Sequence, residues 1–220
     1  MTSGRHDRLA YTLVEPEGEA RGGVVIVHGA GSCKENHLDF ARACAAGGLA
    51  AIAFDQRGHG ASGGRLGAGV LDDVASIASL LPGSGPVFLR GTSMGGCFAL
   101  AAARRARARA VVAICPASPR LLLRGLREGR YDFRADRRAL EPVLRAIDLE
   151  AAVRTLGTDV MLLHAEGDEV VPIEHSARLH ALAAGSRFVR VPGGDHRSVQ
   201  HDAGLQVEAV RFLLDRCYSA

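Results

Sequence analysis

The sequence predicts an α/β fold with a mostly parallel central sheet. Two observations carry this. Short apolar runs rich in Val and Ile alternate with glycine-rich turns and helical segments along nearly the whole chain. Several of those runs are continuously apolar rather than alternating, which suits strands covered on both faces.

The runs read as strands are Leu9–Val14, Val24–Val27, Ala50–Phe54, Val87–Arg90, Ala110–Cys115, Val160–His164 and Arg187–Val191, so a sheet of about seven strands is expected. The helical segments between them are His37–Ala46, Val70–Leu81, Met94–Arg107, Ile173–Ala184 and Leu205–Arg216. Residues 116–148 interrupt this rhythm. They are rich in Arg and Leu, longer than a crossover needs, and are expected to form a small lid of one or two short helices on a single domain spanning 1–220.

The totals exclude several classes. The 220 residues suit one domain with a full core. A net charge of +3, aromatics at 5% and the absence of tryptophan do not suit a nucleic-acid binder. Five scattered cysteines, none in a CxxC pair, fit a reducing compartment. The first fourteen residues lack the apolar core of a signal peptide, and no stretch is long enough to span a bilayer. A cytoplasmic protein without membrane insertion is expected. No H-E-x-x-H or similar ligand spacing and no dinucleotide fingerprint occurs, so neither metal nor cofactor is expected.

In a parallel sheet the chemistry sits at the carboxyl ends of the strands. After Val87–Arg90 comes Gly91-Thr92-Ser93-Met94-Gly95-Gly96 and then a helix. This is G-x-S-x-G in the context it requires, a turn that lifts a serine above the sheet, so Ser93 is the expected nucleophile. Val24–Val27 ends in His28-Gly29-Ala30-Gly31. A tetrahedral intermediate needs two N–H donors, and Met94 and Ala30 are assigned to them. His28 is expected to brace this loop. Asp168 follows Val160–His164 and is preferred as the acid over Glu166 and Glu169. His196 follows the last strand and is the expected base, which completes the chain order of nucleophile, acid and base. His59, His164, His175, His180 and His201 are given structural roles.

With Asp55-Gln56-Arg57-Gly58-His59-Gly60-Ala61-Ser62 added to these motifs, the chain resembles the α/β-hydrolase superfamily. Within it, the likeness is to the subgroup of monoglyceride lipases, feruloyl and cinnamoyl esterases and serine-aminopeptidase-like hydrolases. The resemblance implies a serine hydrolase, foremost a carboxylesterase acting on small or medium acyl esters without a cofactor. Thioesters, amides or peptides and C–C bonds are alternative substrates for the same triad, and a non-catalytic ligand-binding protein is the alternative of another class. Two departures from the family pattern stand out. The segment before the first central strand is short, which predicts the loss of one edge strand of the usual eight, and the small lid implies an open site. The lid arginines (120, 124, 127, 130, 134, 137 and 138) fit either a solvated face or recognition of an anionic substrate, and the solvated face is preferred. Residues that bind substrate are not assigned.

Overall fold

The computed structural model describes residues 1–217. Eight strands form one sheet: β1 (Thr2–His6), β2 (Leu9–Val14), β3 (Gly23–Val27), β4 (Ala50–Phe54), β5 (Val87–Thr92), β6 (Ala108–Ile114), β7 (Val160–Ala165) and β8 (Arg187–Val191). Their order is β1-β2-β4-β3-β5-β6-β7-β8. The β1–β2 and β2–β4 pairs are antiparallel and every other pair is parallel.

The edge strand expected to be missing is therefore present. Thr2–His6 pairs antiparallel with β2, in register from Thr2 opposite Leu13 to His6 opposite Leu9. Its residues are exposed or half-buried and polar, so it carries no apolar pattern from which a strand could be read.

Successive residues of the central strands face opposite cores, which explains their unbroken apolar runs. Val25, Val27, Ile52 and Leu89 face one helical layer, α2 (Val70–Ala78) and α3 (Met94–Ala102). Val24, Ile26, Ala51 and Phe88 face the other, α1 (Leu38–Ala46) and α8 (Ala203–Asp215). The segment expected to form a lid folds as α4 (Pro119–Arg127) and α5 (Arg137–Ala146). Ser118 caps α4 and Asp136 caps α5, each side chain accepting a backbone N–H three residues on. Two further helices follow, α6 (Leu149–Leu156), which the sequence reading left unassigned, and α7 (Ile173–Leu182). Residues 131–136 are tied to the turn after β4: Leu66 N–H donates to the Arg134 carbonyl, Arg134 N–H to Gly58 and Asp136 N–H to Leu66. Among the described residues, no helix is long and apolar enough to cross a membrane.

Candidate active site

The turn after β5 holds Ser93 at φ 55°, ψ −117°, a conformation that L-residues rarely adopt. Three hydrogen bonds fix it. Ser93 N–H donates to Ile114, and the Ser93 carbonyl accepts from Cys97 and Ala117. The flanking glycines are sterically required. A Cβ at Gly91 would lie 2.1 Å from the Gly95 oxygen, and one at Gly95 would lie 2.0 Å from the Val27 oxygen. Ser93 is half-buried directly before α3, whose N-terminal end favours negative charge.

The loop after β3 passes beside this serine. A Cβ at Gly29 would be 3.5 Å from the Ser93 Cβ. Below the loop, His28 is fully buried and accepts the Gln56 N–H at Nε2 (3.0 Å), so its Nδ1–H donates to the Gly29 carbonyl (2.7 Å). Burial, reinforced by the neighbouring His59, pushes its pKa down to about 4, which keeps it neutral. His28 thus braces the loop and carries no charge. The Met94 N–H is among the first of α3, which find no acceptor within their own helix. The Ala30 N–H makes no hydrogen bond among the described residues.

The turn Asp55–Ser62 supports this wall. Asp55 is fully buried and accepts from the Lys34 N–H (2.7 Å), the Lys34 ammonium (3.0 Å) and the Ala61 N–H (2.8 Å). Ser62 Oγ–H donates to the Asp55 carbonyl (2.6 Å).

Asp168 and His196 meet at 2.7 Å, His196 Nδ1 donating to Asp168 Oδ2. The other carboxylate oxygen accepts the N–H groups of Val170 (2.8 Å) and Val171 (2.9 Å). The Asp168 side chain has no exposed surface. Burial alone would raise its pKa, but hydrogen bonds from His164, His196 and Val171 outweigh it and hold the carboxyl well below the usual carboxylate range. The two loops abut at Gly167, where a Cβ would lie 2.4 Å from the Gly194 oxygen. His164, given only a structural role from the sequence, belongs to this group. Its Nε2 lies 2.9 Å from the Val171 carbonyl and 3.3 Å from Asp168 Oδ2, and Ser176 Oγ donates to its Nδ1 (2.7 Å). Its position at the end of a central strand, four residues before the acid, was the available signal.

Ser93 and His196 border one cavity of about 920 Å³, with Ala30, Leu121, Leu122 and Tyr131 among its walls. No hydrogen bond joins Ser93 Oγ to the imidazole among the described residues, and such contacts often tighten only when substrate binds. The lid arginines sort by partner. Arg127 pairs with Glu141 and Arg130 with Glu128, while Arg124 borders the cavity. Glu166 is paired with Arg190 at the surface and Glu169 lines the cavity.

One group of potential metal ligands comes together among the described residues, Cys115 with Asp168 and His196, all within 4.8 Å. Burial raises the Cys115 thiol far above its ordinary pKa, and a protonated thiol is a poor ligand. Two of the three are already hydrogen-bonded to each other, which leaves a carboxylate–imidazole pair beside a buried thiol.

Comparison with known proteins agrees with this architecture. Residues 18–124 match the family model of serine aminopeptidase, S33. No curated protein matches the sequence. Among solved structures, Est1E from Butyrivibrio proteoclasticus with ferulic acid bound is 22% identical over 100% of both chains, with a TM-score of 0.78. A monoacylglycerol lipase from Paleococcus ferrophilus is 22% identical over 95% of this chain and 98% of its own, with a TM-score of 0.70. Alpha/beta hydrolase domain-containing protein 10 from mouse is 22% identical over 97% and 96%, with a TM-score of 0.68. Sheet order, the serine turn between β5 and α3, and these likenesses together give the chain the α/β-hydrolase fold, with its first half similar to the serine aminopeptidase family.

Proposed function

We propose that the protein is a serine carboxylesterase acting on small or medium acyl esters. The observation that carries this is a serine on a left-handed turn at a helix N-terminus, sharing a cavity with a histidine that is hydrogen-bonded to a buried carboxylate. His196 Nε2 takes the Ser93 proton as Oγ attacks the ester carbonyl carbon. The carbonyl π electrons move to oxygen, and the Ala30 and Met94 N–H groups receive that negative charge. As the C–O bond to the alcohol breaks, the imidazolium returns its proton to the leaving oxygen. Water then attacks the acyl-enzyme with His196 again as base, releasing the acid and free Ser93. Asp168 holds the Nδ1–H tautomer throughout.

The cavity walls mix Leu121, Leu122 and Val170 with Ser32, Asn36 and Arg124, which suits a short, partly polar acyl group better than a long chain. The esterase and lipase among the structural relatives support an ester substrate. The serine aminopeptidase family model favours amide cleavage as a second reading.

Short-chain nitrophenyl esters test the first reading and aminoacyl nitroanilides the second. Ester turnover that vanishes in Ser93→Ala is expected. Absence of ester turnover, with nitroanilide turnover lost in the same variant, would instead establish the amidase.

A further inference from the structure

Arg90 lies on β5, three residues before Ser93, and only 1% of it is exposed. A buried guanidinium is costly unless its surroundings hold it. Among the described residues, no carboxylate hydrogen-bonds to it. Its Nη2–H donates to the main-chain carbonyl of Gln200 (3.1 Å), and its Nη1–H donates to His37 Nδ1 (2.8 Å). The guanidinium stands over the Phe40 ring, 4.8 Å from its centroid. Asp39 is the nearby countercharge.

These partners belong to the two loops that frame the cavity. Gln200 is in the short 3₁₀ turn Ser198–His201, immediately beyond His196. The Gln200 carbonyl also accepts from Gln206 Nε2 (3.1 Å), and Asp39 receives both Gln206 Nε2 (2.7 Å) and His201 Nδ1 (2.8 Å). On the other side His37, whose Nδ1 is the acceptor, turns its Nε2 toward Ser32 Oγ at 3.4 Å. Ser32 follows the glycine loop and lines the cavity. One side chain on the nucleophile's own strand therefore touches the base loop directly and the glycine loop through one histidine.

We infer that Arg90 is a positioning residue that sets the height of the His196 loop against Ser93. This rests on the serine-hydrolase reading above. A planar guanidinium suits the task, because it fixes the directions of the bonds to a carbonyl and a ring, which a freely rotating ammonium does not. The geometry gives the buried charge the role of aligning the two loops.

A fluorophosphonate probe reads this without knowledge of the substrate. Ser93 Oγ forms a bond to phosphorus, the P–F bond breaks, fluoride leaves and His196 takes the serine proton. In the full-length protein, Arg90→Met is expected to slow the inactivation step by about 10- to 100-fold, with little change in the probe concentration giving half-maximal rate. Its melting temperature should fall by only a few degrees, because His37 Nδ1 and the Gln200 carbonyl each lose a donor, and the proton NMR signal of the His196 Nδ1–H should move. Labelling of Arg90→Met at the wild-type rate overturns the inference. If that variant does not fold, Arg90→Lys decides in the same way. A wild-type protein labelled no faster than Ser93→Ala would overturn the serine-hydrolase reading itself, an outcome distinct from either.

Discussion

His164 Nε2 stands 3.3 Å from the same Asp168 oxygen that accepts the His196 Nδ1–H at 2.7 Å. The carboxylate is thereby held from inside the sheet as well as from the cavity. A hydrogen bond to a charged group contributes about 1.5–3 kcal/mol. His164→Leu is expected to lower kcat/KM by about 10- to 100-fold, chiefly through kcat, because Asp168 gains freedom to turn away from His196. Steady-state kinetics on the best nitrophenyl ester check this, and unchanged kcat would show that the backbone N–H groups of Val170 and Val171 suffice.

Much of this was legible in the sequence for a physical reason. Strands buried on both faces must be apolar throughout, and Val24–Val27 or Val160–His164 can hardly be read otherwise. Glycines that backbone contacts make obligatory, such as Gly91 and Gly95, mark the serine turn. What escaped was whatever depends on pairing. Thr2–His6 is a strand because β2 offers it an edge, not because of its composition. Arg90 and His164 are ordinary letters until the fold buries them beside the loops.

Lys34 is the sole lysine of the chain, and its ammonium lies 3.0 Å from buried Asp55. Removing Asp55 leaves the Lys34 ammonium only the exposed Glu35 and strands the Lys34 and Ala61 N–H groups. Asp55→Ala should lower unfolding free energy by about 3–5 kcal/mol, and Lys34→Met combined with Asp55→Leu should recover part of the loss. Denaturant melts of the three variants decide, and equal losses in single and double variants would sink the argument.

Gly95 and Gly193 make a matched pair. A Cβ at Gly95 would collide with backbone at 2.0 Å, whereas one at Gly193 meets nothing within 4 Å, although φ is +67° there. Gly95→Ala is expected to leave no folded, active protein. Gly193→Ala should cost only about 1–2 kcal/mol, the strain of a left-handed residue. Soluble yield and thermal melts compare them directly, and a folded, active Gly95→Ala protein would contradict the steric reading of the serine turn.

Protons bound by His28 should appear in the pH dependence of stability. Its pKa is about 4 in the folded protein against an ordinary value of 6.5. The unfolded chain therefore binds the extra proton between those values, and stability falls as pH drops from about 6.5 to 4. One such proton is worth about 1.4 kcal/mol per pH unit inside that window. His37, which burial and Arg90 hold well below its ordinary range, acts in the same direction. His28→Asn costs stability at pH 7, because two hydrogen bonds beneath the glycine loop are disturbed. Between pH 6 and 4.5, however, its stability curve should be flatter than that of the wild type by about one proton. Parallel curves from urea melts across that range would mean that His28 is protonated equally in both states, and the neutral brace under the loop would have to be abandoned.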